Sequence, residues 1–250
     1  MHLEANIKLL RIDGIPDRFL GMRIGHLSDI HLTGELPAEY YRHAVDWMLS
    51  ESPDLICLSG DLIDNPETLN SLRSIFGGLP KDLPKIFVLG NHDRACAMAE
   101  PTRCMMEDLG WMDAGKKDFL LQTPRGTLAI FGNERPWFHR DQTLRDSEIP
   151  SDCLALAISH SPDQIPWARQ LGIPLMLCGH THGGQIRFPW IGPIIAPSKY
   201  GSRFASGVFY QRPTLMHVSR GVSGIHTLRW GCVPEISILE LASIAFSEPS

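Results

Sequence analysis

At 250 residues, with 43% apolar and 20% charged side chains, the chain is long enough to fill one large core and too ordinary in composition to be disordered or fibrous. A formal charge of −5 excludes a general attraction to nucleic acid or to anionic membranes, so an anionic ligand has to be drawn in locally. No basic stretch leads into a sustained apolar segment, and no run approaches the roughly 18 apolar residues of a membrane span. This predicts a cytoplasmic protein without signal peptide or transmembrane segment. The six cysteines form no C-x-x-C pair, and Cys57 and Cys178 lie in apolar runs, which argues for free thiols over a disulfide framework.

In chain order, short β-rich runs end repeatedly in small or polar residues: MRIGHLSD (22–29), LICLSGD (55–61), KIFVLGNHD (85–93), LAIFGNE (128–134), LALAISH (154–160) and LMLCGHTH (175–182). Such runs fit strands buried on both faces. Between them, Tyr41, Ala44, Val45, Met48 and Leu49 follow a helical period after Pro37, and Leu69, Leu72, Ile75 and Phe76 do so ahead of Gly77. Strand–helix alternation predicts an α/β fold with a mainly parallel sheet. GVFYQ, TLMHVSR and EISILEL, near the end, have turns but no helices between them, which predicts antiparallel additions or a second sheet. No repeat or linker divides residues 1–250, so one domain is expected.

Five of the six runs finish in side chains of one chemical kind: Asp29 and His31; Asp61; Asn91, His92 and Asp93; His160; His180 and His182. Singly, an aspartate after a strand is a cap or turn residue and a histidine a satisfied polar group. Together, beyond the carboxyl ends of strands where open α/β sheets gather their functional groups, they form a set of imidazole and carboxylate ligands for Mn, Fe, Co or Zn. A carboxylate such as Asp61 has two oxygens and can serve two ions at once. Two divalent ions less a few anionic ligands leave a positive site, suited to a phosphate ester despite the acidic chain.

The order Asp29-x-His31, Gly60-Asp61, Gly90-Asn91-His92-Asp93, His160, Gly179-His180-x-His182 resembles the calcineurin-like metallophosphoesterase superfamily. The later GHTHGGQIRFPWIGPIIAPSKYG, VSRGVSG and PEISILEL resemble its bacterial phosphodiesterase branch, extending the likeness over residues 22–241. The resemblance implies a four-layer sandwich, two central mixed β-sheets flanked by helices. It also implies two divalent metal ions, one on Asp29, His31, Asp61 and His182, the second on Asp61, Asn91, His160 and His180. His92 would stand beside the substrate as the acid for the leaving oxygen, with Asp93 orienting its ring. The implied reaction is hydrolysis of a phosphodiester by a hydroxide held between the ions. A UDP-diacylglucosamine-type pyrophosphate hydrolase is the alternative that the resemblance leaves open, although hydrolases of that kind of the best-known type carry Arg where this chain has His92.

Six other histidines, His26, His139, His217 and His226 among them, lie outside these motifs. His26 is expected in strand packing. Asp64 reads as a cap of the loop after Asp61, not as a ligand, and Trp137 and His139 as either cleft lining or plain surface loop. Phe188, Trp190, Ile191, Ile194 and Ile195 allow two readings. One is a buried, proline-rich cover on the sheet. The other is an apolar wall beside the metals for a lipid-linked substrate, with peripheral membrane contact through 186–200. Two further function classes compete with the phosphoesterase: a metal-free protein-binding scaffold on the same fold, which would have substituted ligands, and a metal-dependent amide hydrolase, whose motifs run in the reverse order. There is no nucleic-acid-binding signature, and the oligomeric state is not legible.

Overall fold

The computed structural model describes residues 2–139, 144–224 and 229–244. Along the chain run β1 (Glu4–Ile12), β2 (Arg23–Leu27), α1 (Ala38–Ser50), β3 (Leu55–Ser59), α2 (Ser71–Phe76), β4 (Lys85–Val88), α3 (Asn91–Ala95), α4 (Ala99–Asp108) and β5 (Met112–Asp113). Then come β6 (Phe119–Thr123), β7 (Gly126–Asn133), β8 (Leu154–Ser159), α5 (Ile165–Gln170), β9 (Leu175–Cys178), β10 (Arg187–Phe188), β11 (Gly192–Pro193), β12 (Gly207–Gln211), β13 (Thr214–Val218) and β14 (Glu235–Ser243).

All six apolar runs form strands, and β3, β4 and β9 are buried at every residue, polar Ser59 and Lys85 at the ends of β3 and β4 included. They divide between two six-stranded sheets, ordered β1-β14-β2-β3-β4-β5 and β12-β13-β9-β8-β7-β6. The strands carrying the motifs run parallel to their neighbours, β2-β3-β4 in one sheet and β7-β8-β9 in the other. The helix-free tail splits. β12 and β13 pair antiparallel at the edge of the second sheet, whereas β14 inserts into the first, antiparallel to β2 and parallel to β1.

Alternating side chains build three apolar layers between four layers of backbone. Leu55 and Cys57, Ile86 and Val88, Leu154 and Leu156, Leu175 and Leu177 meet between the sheets. The opposite faces, Ile56, Leu58 and Phe87, take Tyr41, Ala44 and Met48 of α1 and Leu72 and Phe76 of α2. Met176, Cys178 and Met216 take Ile165 and Ala168 of α5 on the far side. Each fully buried Leu, Ile or Phe is worth about 1.5–3 kcal/mol of transfer free energy, which offsets the cost of burying charge at the strand ends. The mixed-sheet, four-layer fold is the one that the resemblance implied.

Candidate metal centre

The backbone carries its ladder past the strand ends. The Asp29 amide donates to Gly60 O at 3.0 Å, His31 to Asp61 O at 3.0 Å and Gly179 to His160 O at 2.9 Å. These bonds draw the loops after β2, β3, β8 and β9 to one point at the junction of the sheets. They also force unusual backbone: Asp29, His31, Asp61, His180 and His182 adopt left-handed φ of 51°, 46°, 52°, 73° and 50°. L-residues visit that region at a cost, and its concentration at one site marks a built constellation. Two glycines are set by close approach: a Cβ on Gly60 would strike the His160 ring, and one on Gly179 would strike Ser28 and Asp29.

Two donor groups result, and they share a residue. Asp29, His31, Asp61 and His182 bring one ligand atom each to within 4.8 Å of the others, as do Asp61, His160 and His180. His31 Nε2 lies 3.2 Å from His182 Nε2 and 3.6 Å from Asp61 Oδ2. On the other side His160 Nε2 lies 3.1 Å from Asn91 Oδ1, from His180 Nδ1 and from Asp61 Oδ2. The His160 Nδ1 is 2.8 Å from the Ser59 carbonyl, which only accepts, so Nδ1 carries a proton and Nε2 turns toward Asp61. Asp61 Oδ1 accepts from the His92 amide at 2.9 Å, but Oδ2 is buried with no hydrogen-bond partner among the described residues.

That orphan oxygen facing an imidazole nitrogen needs either a proton or a cation between them. Burial alone would lower the His160 pKa, but the Asp61 charge outweighs it and raises it to about 9, which measures how strongly that oxygen calls for positive charge. Burial lowers His180 to about 4 and His182 to about 3. Both rings are therefore neutral at pH 7, the state in which imidazole offers a lone pair to a metal. Burial works against the Asp29 and Asp61 carboxylates, yet the surrounding imidazoles hold both below the usual range. The donor set and the orphan oxygen fit divalent ions.

The model of the calcineurin-like phosphoesterase family matches residues 22–184, well over half of the chain and all of these donors. The chain belongs to the calcineurin-like phosphoesterase family. It is 30% identical to phosphodiesterase YaeI of Escherichia coli (strain K12) over 236 residues, 92% of this chain and 86% of that protein. To the uncharacterized metallophosphoesterase YkuE of Bacillus subtilis (strain 168) it is 28% identical over 96% of this chain and 86% of that protein. To the UDP-2,3-diacylglucosamine pyrophosphatase LpxG of Chlamydia muridarum it is 26% identical over 95% of this chain and 90% of that protein. The chain is thus a metal-dependent hydrolase of phosphoric esters.

Within this phosphoesterase the two residues expected to act together are apart in role. Asp93 is fully buried, and its carboxylate accepts from the amides of Leu62, Ile63 and Gly90 at 3.0, 3.0 and 2.9 Å. It ties the β3 and β4 loops together and makes no hydrogen bond to His92 among the described residues. As the third residue of α3, its side chain turns back over the helix start, away from the ring beside it. Burial, with the nearby Asp61 charge, pushes the Asp93 carboxyl up to about 7. The carboxylate that meets the His92 ring is that of Asp64, expected from the sequence to be a cap. Its Oδ1 lies 2.6 Å from His92 Nδ1 and its Oδ2 2.7 Å from His31 Nδ1. The only sequence signal for it is its place three residues after Asp61.

Trp137 lines the site, edge-on to His160 at 5.2 Å and to His180 at 5.0 Å between ring centres, whereas His139 is an exposed loop residue. His26 is buried in packing, 2.8 Å from His217 and 2.9 Å from Ser59 Oγ. His226 lies outside the described residues. A pocket of about 370 Å³ opens over the donors, lined by Asp61, Asn91, His92, His180 and His182 and closed by Ile186, Ile195 and Pro197. The apolar run after His182 is therefore no buried cover: Ile186, Phe188, Trp190, Ile191, Ile194 and Ile195 are all exposed.

Proposed function

We propose that this calcineurin-like phosphoesterase is a dinuclear phosphodiesterase acting on amphiphilic phosphodiesters, nucleotide-linked lipids among them. The observation that carries the reading is the Asp61 carboxylate, shared by both donor groups, with one oxygen buried and unpartnered. Asp29, His31, Asp61 and His182 would hold one ion, and Asp61, Asn91, His160 and His180 the second. When bound, two divalent ions supply Lewis acidity to the phosphoryl oxygens and an activated water. Mn, Fe, Zn and Co all suit an N/O donor set, and availability decides among them.

The chain's own residues do the rest. His92 lines the pocket with its Nδ1–H held by Asp64. Burial works against a charged ring, but Asp64 and Asp61 outweigh it and raise the His92 pKa, so a second proton taken up on Nε2 can pass to the departing ester oxygen. Asp64 keeps that ring and the His31 ring in fixed tautomers, each N–H donated to one carboxylate oxygen. No lysine or arginine is among the residues lining the pocket, so nothing there is set to hold the extra charge of a monoester. Ile186, Ile195 and Pro197 complete the wall and suit an apolar substituent on the diester. A second reading, a pyrophosphate hydrolase of a UDP-diacylglucosamine type, is supported by the likeness to LpxG along nearly the whole chain.

Metal analysis of the purified protein, paired with hydrolysis of a chromogenic phosphodiester and its monoester with and without manganese, tests this. About two ions per chain and metal-dependent cleavage that favours the diester are expected. No bound metal and no turnover with any added ion would overturn the enzyme reading in favour of a scaffold. Preferential release of UMP from a UDP-linked lipid would favour the second reading.

A further inference from the structure

The formal charge of −5 conceals a segregation. Residues 164–234 contain seven lysines and arginines and no aspartate or glutamate, leaving sixteen cations against all twenty-eight acids in the other 179 residues. At the middle of this acid-free stretch stands the β10–β11 hairpin, with Arg187 paired to Pro193 and Phe188 to Gly192. Its turn raises Trp190, 103% exposed, and Ile191, 75% exposed, with Ile194 at 57% and Ile195 at 77% just beyond. Of thirteen exposed large apolar side chains among the described residues, seven belong to 186–195 or are Trp230.

The hairpin is strapped down. Arg187 N donates to Trp230 O at 2.8 Å, Trp230 N to Gln185 O at 3.0 Å, and the Phe188 and Trp230 rings meet edge to face at 4.8 Å. Lys199 and Arg203 are exposed, Arg187 is half-buried, and none of the three forms an ion pair among the described residues. Lys199 Nζ donates to the Asp163 carbonyl at 2.7 Å and Arg187 Nη1 to Ser206 Oγ at 2.8 Å, contacts that leave their charge unneutralised. A tip of tryptophan and isoleucine among such cations has the composition of an interfacial anchor. Nucleic acid or an acidic protein would match the cations alone. A bilayer surface matches the cations with its anionic headgroups and the tip with its acyl boundary. Continuity supports the same occupant: Ile186 and Ile195, at the feet of the hairpin, also line the pocket over the metal donors.

We infer that the 186–195 hairpin, with Trp230 beneath it and Arg187, Lys199 and Arg203 around it, docks the chain on anionic lipid bilayers. The experiment is co-sedimentation with phosphatidylglycerol–phosphatidylcholine vesicles and with phosphatidylcholine vesicles, without substrate. Wild type is expected to bind the anionic vesicles far more than the neutral ones. Trp190→Ser with Ile191→Ser should weaken that binding about tenfold or more, and Lys199→Gln with Arg203→Gln by a similar factor. Neither Trp190 nor Ile191 lines the pocket, so hydrolysis of a soluble chromogenic diester by the first variant should stay at the wild-type level. That assay separates failure of docking from failure of the catalytic reading. Leu9→Ser, which removes an exposed apolar side chain on β1, should leave vesicle binding unchanged.

Absence of wild-type binding to anionic vesicles, or equal binding by the Trp190→Ser, Ile191→Ser variant, would overturn the inference. So would a wild-type dimer that this variant dissociates, which would assign the tip to a second copy. Heparin retaining both proteins as strongly as the vesicles retain wild type would reduce the surface to a polyanion site and overturn it too.

Discussion

Asp64 stands 2.6 Å from His92 through one carboxylate oxygen and reaches His31 through the other, so one part-buried carboxylate fixes both the proposed metal donor and the proposed proton donor. Asp64→Asn keeps the size but can accept only one ring N–H. Turnover is expected to fall about 10- to 100-fold. His92→Ala is expected to cost about 10²–10⁴ with metal content unchanged. If Asp64→Asn leaves kcat and its pH profile untouched, the carboxylate has no positioning role. Full activity of His92→Ala would remove the ring from the reaction.

Asp61 is the shared donor, so its loss should be felt at both positions. Asp61→Asn is expected to lower occupancy of both ions in metal analysis, whereas His180→Ala should spare the group formed by Asp29, His31, Asp61 and His182. Retention of two ions by Asp61→Asn would contradict the sharing.

The donor loop after β4 hangs on a buried ion network. Arg103 of α4 donates to Asp113 at 2.6 Å and to Glu134 at 2.5 Å, and Glu134 takes the Leu89 amide at 2.6 Å, two residues before Asn91. Arg103→Ala strands two buried carboxylates and is expected to cost about 3–5 kcal/mol in urea unfolding. Arg103→Lys should recover only part, since an ammonium lacks the two-pronged geometry. A loss below about 1 kcal/mol would mean that the network adds little beyond packing.

Acid should destabilise the fold through two neutral rings. Burial holds His26 down at about 3 and, with His26 and Lys8 nearby, His217 well below its ordinary value. In the unfolded chain both take a proton near pH 6.5, so beneath that pH the unfolded state binds protons that the native state refuses. Stability is full above about pH 7 and falls as pH drops from 6.5 toward 3, by on the order of 2 kcal/mol per ring at pH 5. Urea midpoints at pH 7.5 and 5.0 check this. His217→Gln should show a smaller acid loss than wild type, and an equal loss would exonerate the ring.

Most of the donor set was legible because it follows strands whose apolar runs are buried on both faces, leaving the next residues nowhere to go but the junction of the sheets. Asp64 was not legible, because nothing local distinguishes a cap from a carboxylate that bridges two rings of other loops. Asp93 misled for a related reason: its neighbour in sequence is His92, but successive side chains on a helix point about 100° apart. β1 hides because Ile7 and Leu9 on it are exposed, which breaks the buried-strand pattern. Arg103 looks like a surface residue of α4 until Asp113 of the next strand and Glu134, just past β7, close on it. The exposure of 186–195 turns on whether another element covers it, which no local pattern encodes.

The left-handed backbone at Asp29, His31, Asp61, His180 and His182 sets this chain's evolutionary economics. Each such position would relax by about 1 kcal/mol if a glycine replaced the side chain. The fold therefore sits uphill of sequences that have abandoned catalysis, and drift without selection would run toward glycine at these five places. An inert descendant would be the sturdier protein. At all five places an imidazole or carboxylate is held against the preference of the backbone, which is the cost that a metal site built on these residues would carry.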